Sequence, residues 1–150
     1  MIVIRKATPE DGSAIIDFQL KMAWETEQMY LKPELISQGV DAVFRNSARG
    51  QYYVTENNGT VIASLLITYE WSDWRNSEVW WFQSVYVLPD FRRKGIFRSM
   101  YSFIKYEADK QGIAGLRLYV ESNNTRARKT YEALGMDSDH YTMYEWLKDQ

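Results

Sequence analysis

The sequence predicts an α/β domain of mixed type: a central, mostly antiparallel sheet of six to seven strands, with one splayed parallel pair and helices on both faces. Three observations lead there. Two β-rich runs flank Asn57-Asn58-Gly59, a tight-turn signal that reads as an antiparallel hairpin. The run from Glu78 to Leu88 is apolar on both faces, as a strand covered on both sides should be. A helical pattern from Gly95 to about Lys110 separates that run from the next β-rich stretch, and a helix between two buried strands implies a parallel crossover. Where antiparallel pairing gives way to parallel pairing, neighbouring strands can splay and open a cleft at their ends.

Ile2 to Arg5 alternates apolar positions as a short strand. Thr8-Pro9-Glu10-Asp11 is a helix start: a capping hydroxyl, proline in the first turn, then acids. Ile15, Phe18 and Met22 follow at helical spacing, with Trp24-Glu25-Thr26-Glu27 near the end. Pro33 opens a second helix through Leu35, Val40, Val43 and Phe44, and Gly50 is its expected stop. Gln51 to Glu56 and Thr60 to Tyr69 are the hairpin strands. Glu70 to Ser77 is a polar and aromatic connection that holds Trp71 and Trp74.

After Gly95, the residues Ile96, Met100, Phe103 and Ile104 share one helical face, and Gly112 stops that helix. Leu116 to Glu121 is the next strand. Ser122-Asn123-Asn124 caps a short helix whose Ala127, Tyr131 and Leu134 lie on one face, ended by Gly135. Tyr141 to Leu147 is predicted as the last strand, aromatic enough to pair across a homodimer. No repeat, low-complexity segment or linker interrupts the pattern, so residues 1–150 read as a single domain.

Composition narrows the function. The chain has 150 residues, 45% of them hydrophobic, enough for one real core. A net charge of −2 supplies no basic field for nucleic acid. No apolar run approaches a membrane span, and Met1-Ile2-Val3-Ile4-Arg5-Lys6 does not read as a signal peptide. The absence of cysteine excludes disulfides, thiolate metal sites and a cysteine nucleophile, and suits the cytoplasm. The single histidine, His140, cannot build a multi-histidine metal site, so no metal is expected, and this late residue is read as structural. Six tryptophans and eleven tyrosines are the unusual feature, and most are expected to be core or to line a cleft.

The stretch from Val85 to Arg98 concentrates the chemistry. Valines and an aromatic favour a strand, and Pro89 ends it. Arg92, Arg93 and Lys94 then precede Gly95, with Arg98 one turn into the helix. Cations are unfavourable at a helix N-terminus, which already carries partial positive charge. The cluster makes sense where an anion docks on the free backbone N–H groups and Gly95 lets the backbone come close. On spacing alone, a solvated basic turn is an equal reading.

Two patterns in order around a strand and a helix, Arg92-Arg93-Lys94-Gly95-Ile96-Phe97 and Asn124–Ala127–Tyr131–Gly135, resemble the GNAT superfamily of N-acetyltransferases. The similarity covers nearly the whole chain and is strongest from Glu78 to Met136. Two positions depart from the family pattern. Phe97 stands where a small residue is usual, and its stripe with Tyr101 and Ile104 points it toward the core. Gln83 stands where many relatives have Glu, and an amide cannot act as a general base.

The resemblance implies acetyl-CoA as cosubstrate. Its pyrophosphate would lie in the basic turn from Arg92 through Arg93, Lys94, Gly95, Ile96 and Phe97 to Arg98. Its pantetheine arm would pair with the backbone of Val85, Tyr86 and Val87 like an added strand. Asn124 and Ala127 would border the CoA arm; a pure N-cap is the other reading of Asn124. Acyl transfer would be direct, with Tyr131 protonating the leaving thiolate and a central-strand N–H such as that of Tyr86 facing the oxyanion. Trp24, Glu25, Glu27, Trp71 and Trp74, with Gln83, would border a site for a cationic amine; a solvated helix end is the alternative. Glu25, Glu27, Glu70, Asp73 and Glu78 remain open as the base. The implied function is an acetyl-CoA-dependent N-acetyltransferase for a small cationic amine. A non-catalytic acyl-CoA-binding module is the alternative. A simple phosphate binder fits less well, because the turn lacks a Walker lysine-serine ending.

Overall fold

A computed structural model describes residues 1–149. Two compact units divide the chain, Met1–Arg117 and Leu118–Gln150.

The first unit contains strand β1 (Ile2–Lys6), helices α1 (Gly12–Glu27) and α2 (Pro33–Arg45), strands β2 (Gln51–Asn57), β3 (Thr60–Ser72) and β4 (Ser77–Val87), helix α3 (Ile96–Lys110) and strand β5 (Gly115–Arg117). Short 3-10 turns at Pro9–Asp11 and Pro89–Phe91 lead toward α1 and α3. The strands lie in the order β1-β2-β3-β4-β5. Every neighbouring pair is antiparallel except β4 and β5, which are parallel.

Helices cover both faces, as the alternation along β2 shows. Tyr52 and Val54 pack with Ile15 of α1 and Val40 of α2. Tyr53, between them, meets Phe103 of α3 edge-on at 6.0 Å. Asp11 fixes the start of α1 to the sheet edge. It takes two hydrogen bonds from the Arg5 guanidinium, at 2.8 and 3.0 Å, and one from the Thr8 amide at 2.8 Å. Arg5 also reaches Glu56 on β2. The Arg5 hydrogen bonds are the main reason the Asp11 carboxyl sits below its ordinary pKa, against the cost of burial.

The structure corrects the expected sheet: it has five strands among the described residues, not six to seven. Tyr141 to Leu147 forms no strand. Tyr144 and Trp146 there are 92% and 85% exposed. β-Propensity describes fit to a half-buried pleated surface and does not by itself create a strand. The aromatic strand expected to pair across a homodimer is thus not formed. The strand expected over Leu116 to Glu121 shrinks to Gly115–Arg117, because β4 offers it a partner only at Val79, Trp80 and Trp81. Gly50 does not stop α2, which ends at Arg45. It is required instead at the entry to β2, where a Cβ would stand 2.6 Å from the Ile67 carbonyl oxygen.

The second unit holds α4 (Thr125–Ala133). Asn124 caps it, its side chain accepting from the Ala127 amide at 3.1 Å. Gly135, at φ 92°, lets the chain turn away after its end.

Candidate active site

The site begins with an irregularity in β4. Ser64 of β3 stands opposite Tyr86, but Leu66 stands opposite Gln83, so β4 carries one extra residue between them. Ser84 absorbs it at φ 51°, a left-handed conformation that costs a non-glycine residue about 1–2 kcal/mol. Beyond Trp81, β4 no longer pairs with β5. From Phe82 to Val87 no strand among the described residues pairs with that edge of the central strand, which is its open edge.

The register fixes which backbone groups face that edge. Leu88 donates its amide to the Ile62 carbonyl of β3 at 2.9 Å. In an antiparallel ladder this makes Ser64–Tyr86 the next hydrogen-bonded pair. The Tyr86 amide is thus directed at β3, which corrects its expected role as oxyanion donor. Val85 and Val87 direct their backbone groups to the open edge, and the Val87 carbonyl accepts from Arg92 Nε at 2.7 Å.

The basic turn follows. Gly95 caps α3 at φ 78° and ψ 14°, and Arg93 is also left-handed at φ 61°. A Cβ on Gly95 would meet nothing within 4 Å, so the dihedral, not crowding, calls for glycine. Ser99 is the residue whose amide bonds back to the Gly95 carbonyl. Helix geometry leaves the amides of Ile96 and Arg98 without an intrahelical acceptor. Arg93, Lys94 and Arg98 are exposed around them. Phe97 turns away from the turn and packs on Phe82, 6.0 Å between centroids, and on Tyr101. An amide edge beside a basic helix start, with its bulky side chain directed inward, fits a linear ligand that ends in a diphosphate.

Candidate acceptor residues divide into engaged and exposed. Glu25 accepts from Arg92 Nη2 at 2.7 Å and from the Tyr86 hydroxyl. Burial works against its charge, but these partners outweigh it and hold the carboxyl below its ordinary pKa. Burial, with Glu25 beside it, pushes the Tyr86 phenol up to about 12. Glu70 accepts from Trp81 Nε1 at 2.7 Å and Arg117 Nη1 at 2.9 Å, and those bonds lower its pKa too, the Trp81 bond foremost. Gln83 donates to Thr68 Oγ1 at 3.4 Å, from the same face as Tyr86. Glu27 and Asp73 are exposed, with no ion pair among the described residues. Glu78 is half-buried, and its carbonyl accepts from Ala114.

Trp71 and Trp74 are exposed, on β3 and in the following turn. Trp24 stacks on Tyr30 at 4.6 Å and 17°. The left-handed cap at Gln28, φ 49°, reverses the chain between them. Tyr30 and Ser84 are site-region residues that sequence reasoning missed. An αL serine leaves no pattern, and Tyr30 lies outside the helical periodicity.

In the second unit, Asn124, Ala127 and Tyr131 lie on or cap α4. Burial raises the Tyr131 phenol above its ordinary pKa. His140 is exposed beside Tyr141.

A mixed sheet with one parallel pair, and a glycine-capped basic helix start after its central strand, define the class of fold, and comparison with known proteins gives the family. The chain matches the Acetyltransferase (GNAT) family over residues 15–136 and belongs to it: it is a GNAT-family acetyltransferase, an acyltransferase. It is similar to a possible acetyltransferase from Clostridium difficile 630, at 42% identity and a TM-score of 0.92, over 100% of this chain and 99% of that one. It also resembles a predicted acetyltransferase with acetyl-CoA from Clostridium acetobutylicum, at 19% identity and TM-score 0.75, over 97% and 96% of the two chains. A third likeness is AAC(6')-Iy in complex with the bisubstrate analogue CoA-S-monomethyl-acetylneamine, at 14% identity and TM-score 0.80, over 99% of each chain. The last two show the fold alone. No curated protein matches the sequence. No helix among the described residues is long and apolar enough to cross a membrane.

Proposed function

We propose that this acetyltransferase moves the acetyl group of acetyl-CoA directly to the nitrogen of a small cationic amine. The observation that carries the reading is the continuity of the open β4 edge with the basic, glycine-capped start of α3. The backbone of Val85 and the amide of Val87 would pair with the amides of the pantetheine arm, the Val87 carbonyl being taken by Arg92, and the turn from Arg92 to Arg98 would hold the diphosphate. The edge amides that do not face β3 are the oxyanion donors in this reading.

Tyr131 is the proposed acid. The phenol is protonated at neutral pH; burial raises its pKa, which makes full proton transfer to a thiolate more uphill, so a hydrogen bond to the leaving sulfur is part of the same role. The protons balance: the ammonium gives one to a base or water before it attacks, and the nitrogen loses a second as the tetrahedral adduct collapses. The thiolate takes one from the phenol, and the phenolate recovers one from solvent, with one proton released overall. Glu25 and Glu70 are poor bases, because their partners favour the charged carboxylate. Glu27 or Asp73, acting directly or through water, fits better. The cationic acceptor is supported by the exposed Trp24–Tyr30 stack with Glu27 close in sequence. Residues 1–150 act as one domain in this reading, supported by a family match that continues across both units.

A thiol-release assay with acetyl-CoA and a panel of amines tests the proposal. Release is expected with small amines that carry a second positive charge, and weaker release with neutral ones. Binding of acetyl-CoA without release for any amine would overturn the proposal in favour of a non-catalytic acyl-CoA-binding module.

A further inference from the structure

Glu25 stands near the C-terminal end of α1, sixty-seven residues before the basic turn, yet the two meet. Each of its carboxylate oxygens has a partner: Oε1 accepts from Arg92 and Oε2 from Tyr86. Arg92 is held on further sides. Its Nε reaches the Val87 carbonyl, and its guanidinium lies over the Tyr86 ring, 5.2 Å from the centroid. One side chain thus ties α1, the open edge of β4 and the first residue of the turn. Its Nη1 has no hydrogen bond among the described residues, so a donor remains for an anion.

This arrangement has a physical logic. An isolated carboxylate beside an anion site would repel the ligand. A carboxylate whose charge is balanced by a guanidinium does not, and it removes most of that side chain's rotamer freedom. The planar fork then satisfies the Val87 carbonyl, the last outward acceptor of the strand, at the point where the chain turns.

We propose that Glu25 is a positioning residue for the donor: through Arg92 it closes the open edge of β4 at Val87 and sets the entrance of the diphosphate turn. It therefore acts on acetyl-CoA rather than on the amine, unlike Trp24 and Glu27 beside it on the same helix. This rests on the acetyl-CoA reading above.

Glu25→Gln, close to isosteric, separates the roles by calorimetric binding and steady-state kinetics. The dissociation constant and KM for acetyl-CoA should rise about fivefold to tenfold, a change on the order of a charge-assisted hydrogen bond in partial solvent. The kcat at saturating donor and the KM for the amine should stay within about twofold on the same reasoning. A fall in kcat with unchanged donor affinity would overturn the proposal and make Glu25 the base. Arg92→Ala supplies the second check. If Glu25 acts through Arg92, adding Glu25→Gln to Arg92→Ala should weaken donor binding no further, whereas additive losses would overturn the proposal. If the wild-type protein binds no acetyl-CoA, both this inference and the functional reading fall. If it binds and both variants bind equally well, only this inference falls.

Discussion

The two halves of β4 have similar composition and different surroundings. From Ser77 to Trp81 the strand is paired on both edges, by β3 and, at Val79–Trp81, by β5. Val79 and Trp80 there are 2% and 4% exposed. From Phe82 to Val87 it keeps β3 but loses β5, and Ser84 bends it. Its side chains are still packed: Phe82 lies against α3, and Tyr86 against Phe18 of α1 at 5.2 Å. The difference is therefore in the backbone. The first half commits its amides to the fold, and the second leaves some on the edge that the proposed function would give to acetyl-CoA. A strand can be core by its side chains and a binding site by its main chain.

The largest test of that division is Trp80→Ala in the fully paired half. It should cost about 3–5 kcal/mol, by large-to-small truncation in a core, read from urea denaturation. Donor affinity of the folded fraction should stay unchanged. A marked loss of affinity would erase the distinction between the halves.

Gly95→Val probes the end of the open half. The left-handed dihedral disfavours any β-branched residue, so the turn must reshape. Acetyl-CoA binding should weaken by roughly a hundredfold, worth about 2.7 kcal/mol, in titration calorimetry. Unchanged affinity would remove the diphosphate from this turn.

Tyr131→Phe belongs to neither half and sharpens the contrast between binding and chemistry. Turnover should fall by about a hundredfold, the lower end for loss of a general acid, with acetyl-CoA affinity within about twofold of wild type. Equal losses in both would make Tyr131 scaffold.

The smallest effect is the most direct. In amide hydrogen exchange, Val85 and Val87 should exchange faster than Tyr86 in the free protein and slow down when acetyl-CoA is added. Tyr86, already directed at β3, should change little. The opposite pattern would reverse the assignment of the edges.

Much of this was legible in the sequence, for identifiable reasons. The hairpin at Asn58-Gly59, the Pro33 helix start and the Asn124 cap are local signals, and each formed where expected. The glycine-capped basic turn was readable for the same reason. What failed was non-local. Tyr141 to Leu147 has the residues of a strand yet forms none, and Gly50 owes its identity to the Ile67 carbonyl, seventeen residues away. The Glu25–Arg92 contact was also out of reach. Glu25 reads as an acceptor-side acid because nothing in its own helix shows that an arginine sixty-seven positions later claims it.

Ser84 has one more consequence. Counted strictly by twos, Phe82 and Tyr86 would point the same way. The extra residue shifts the phase, so β4 works like a crankshaft, with one throw toward α3 and the next toward α1. One strand thus anchors both helical layers through side chains only four residues apart, and one of those layers carries Trp24 and Glu25.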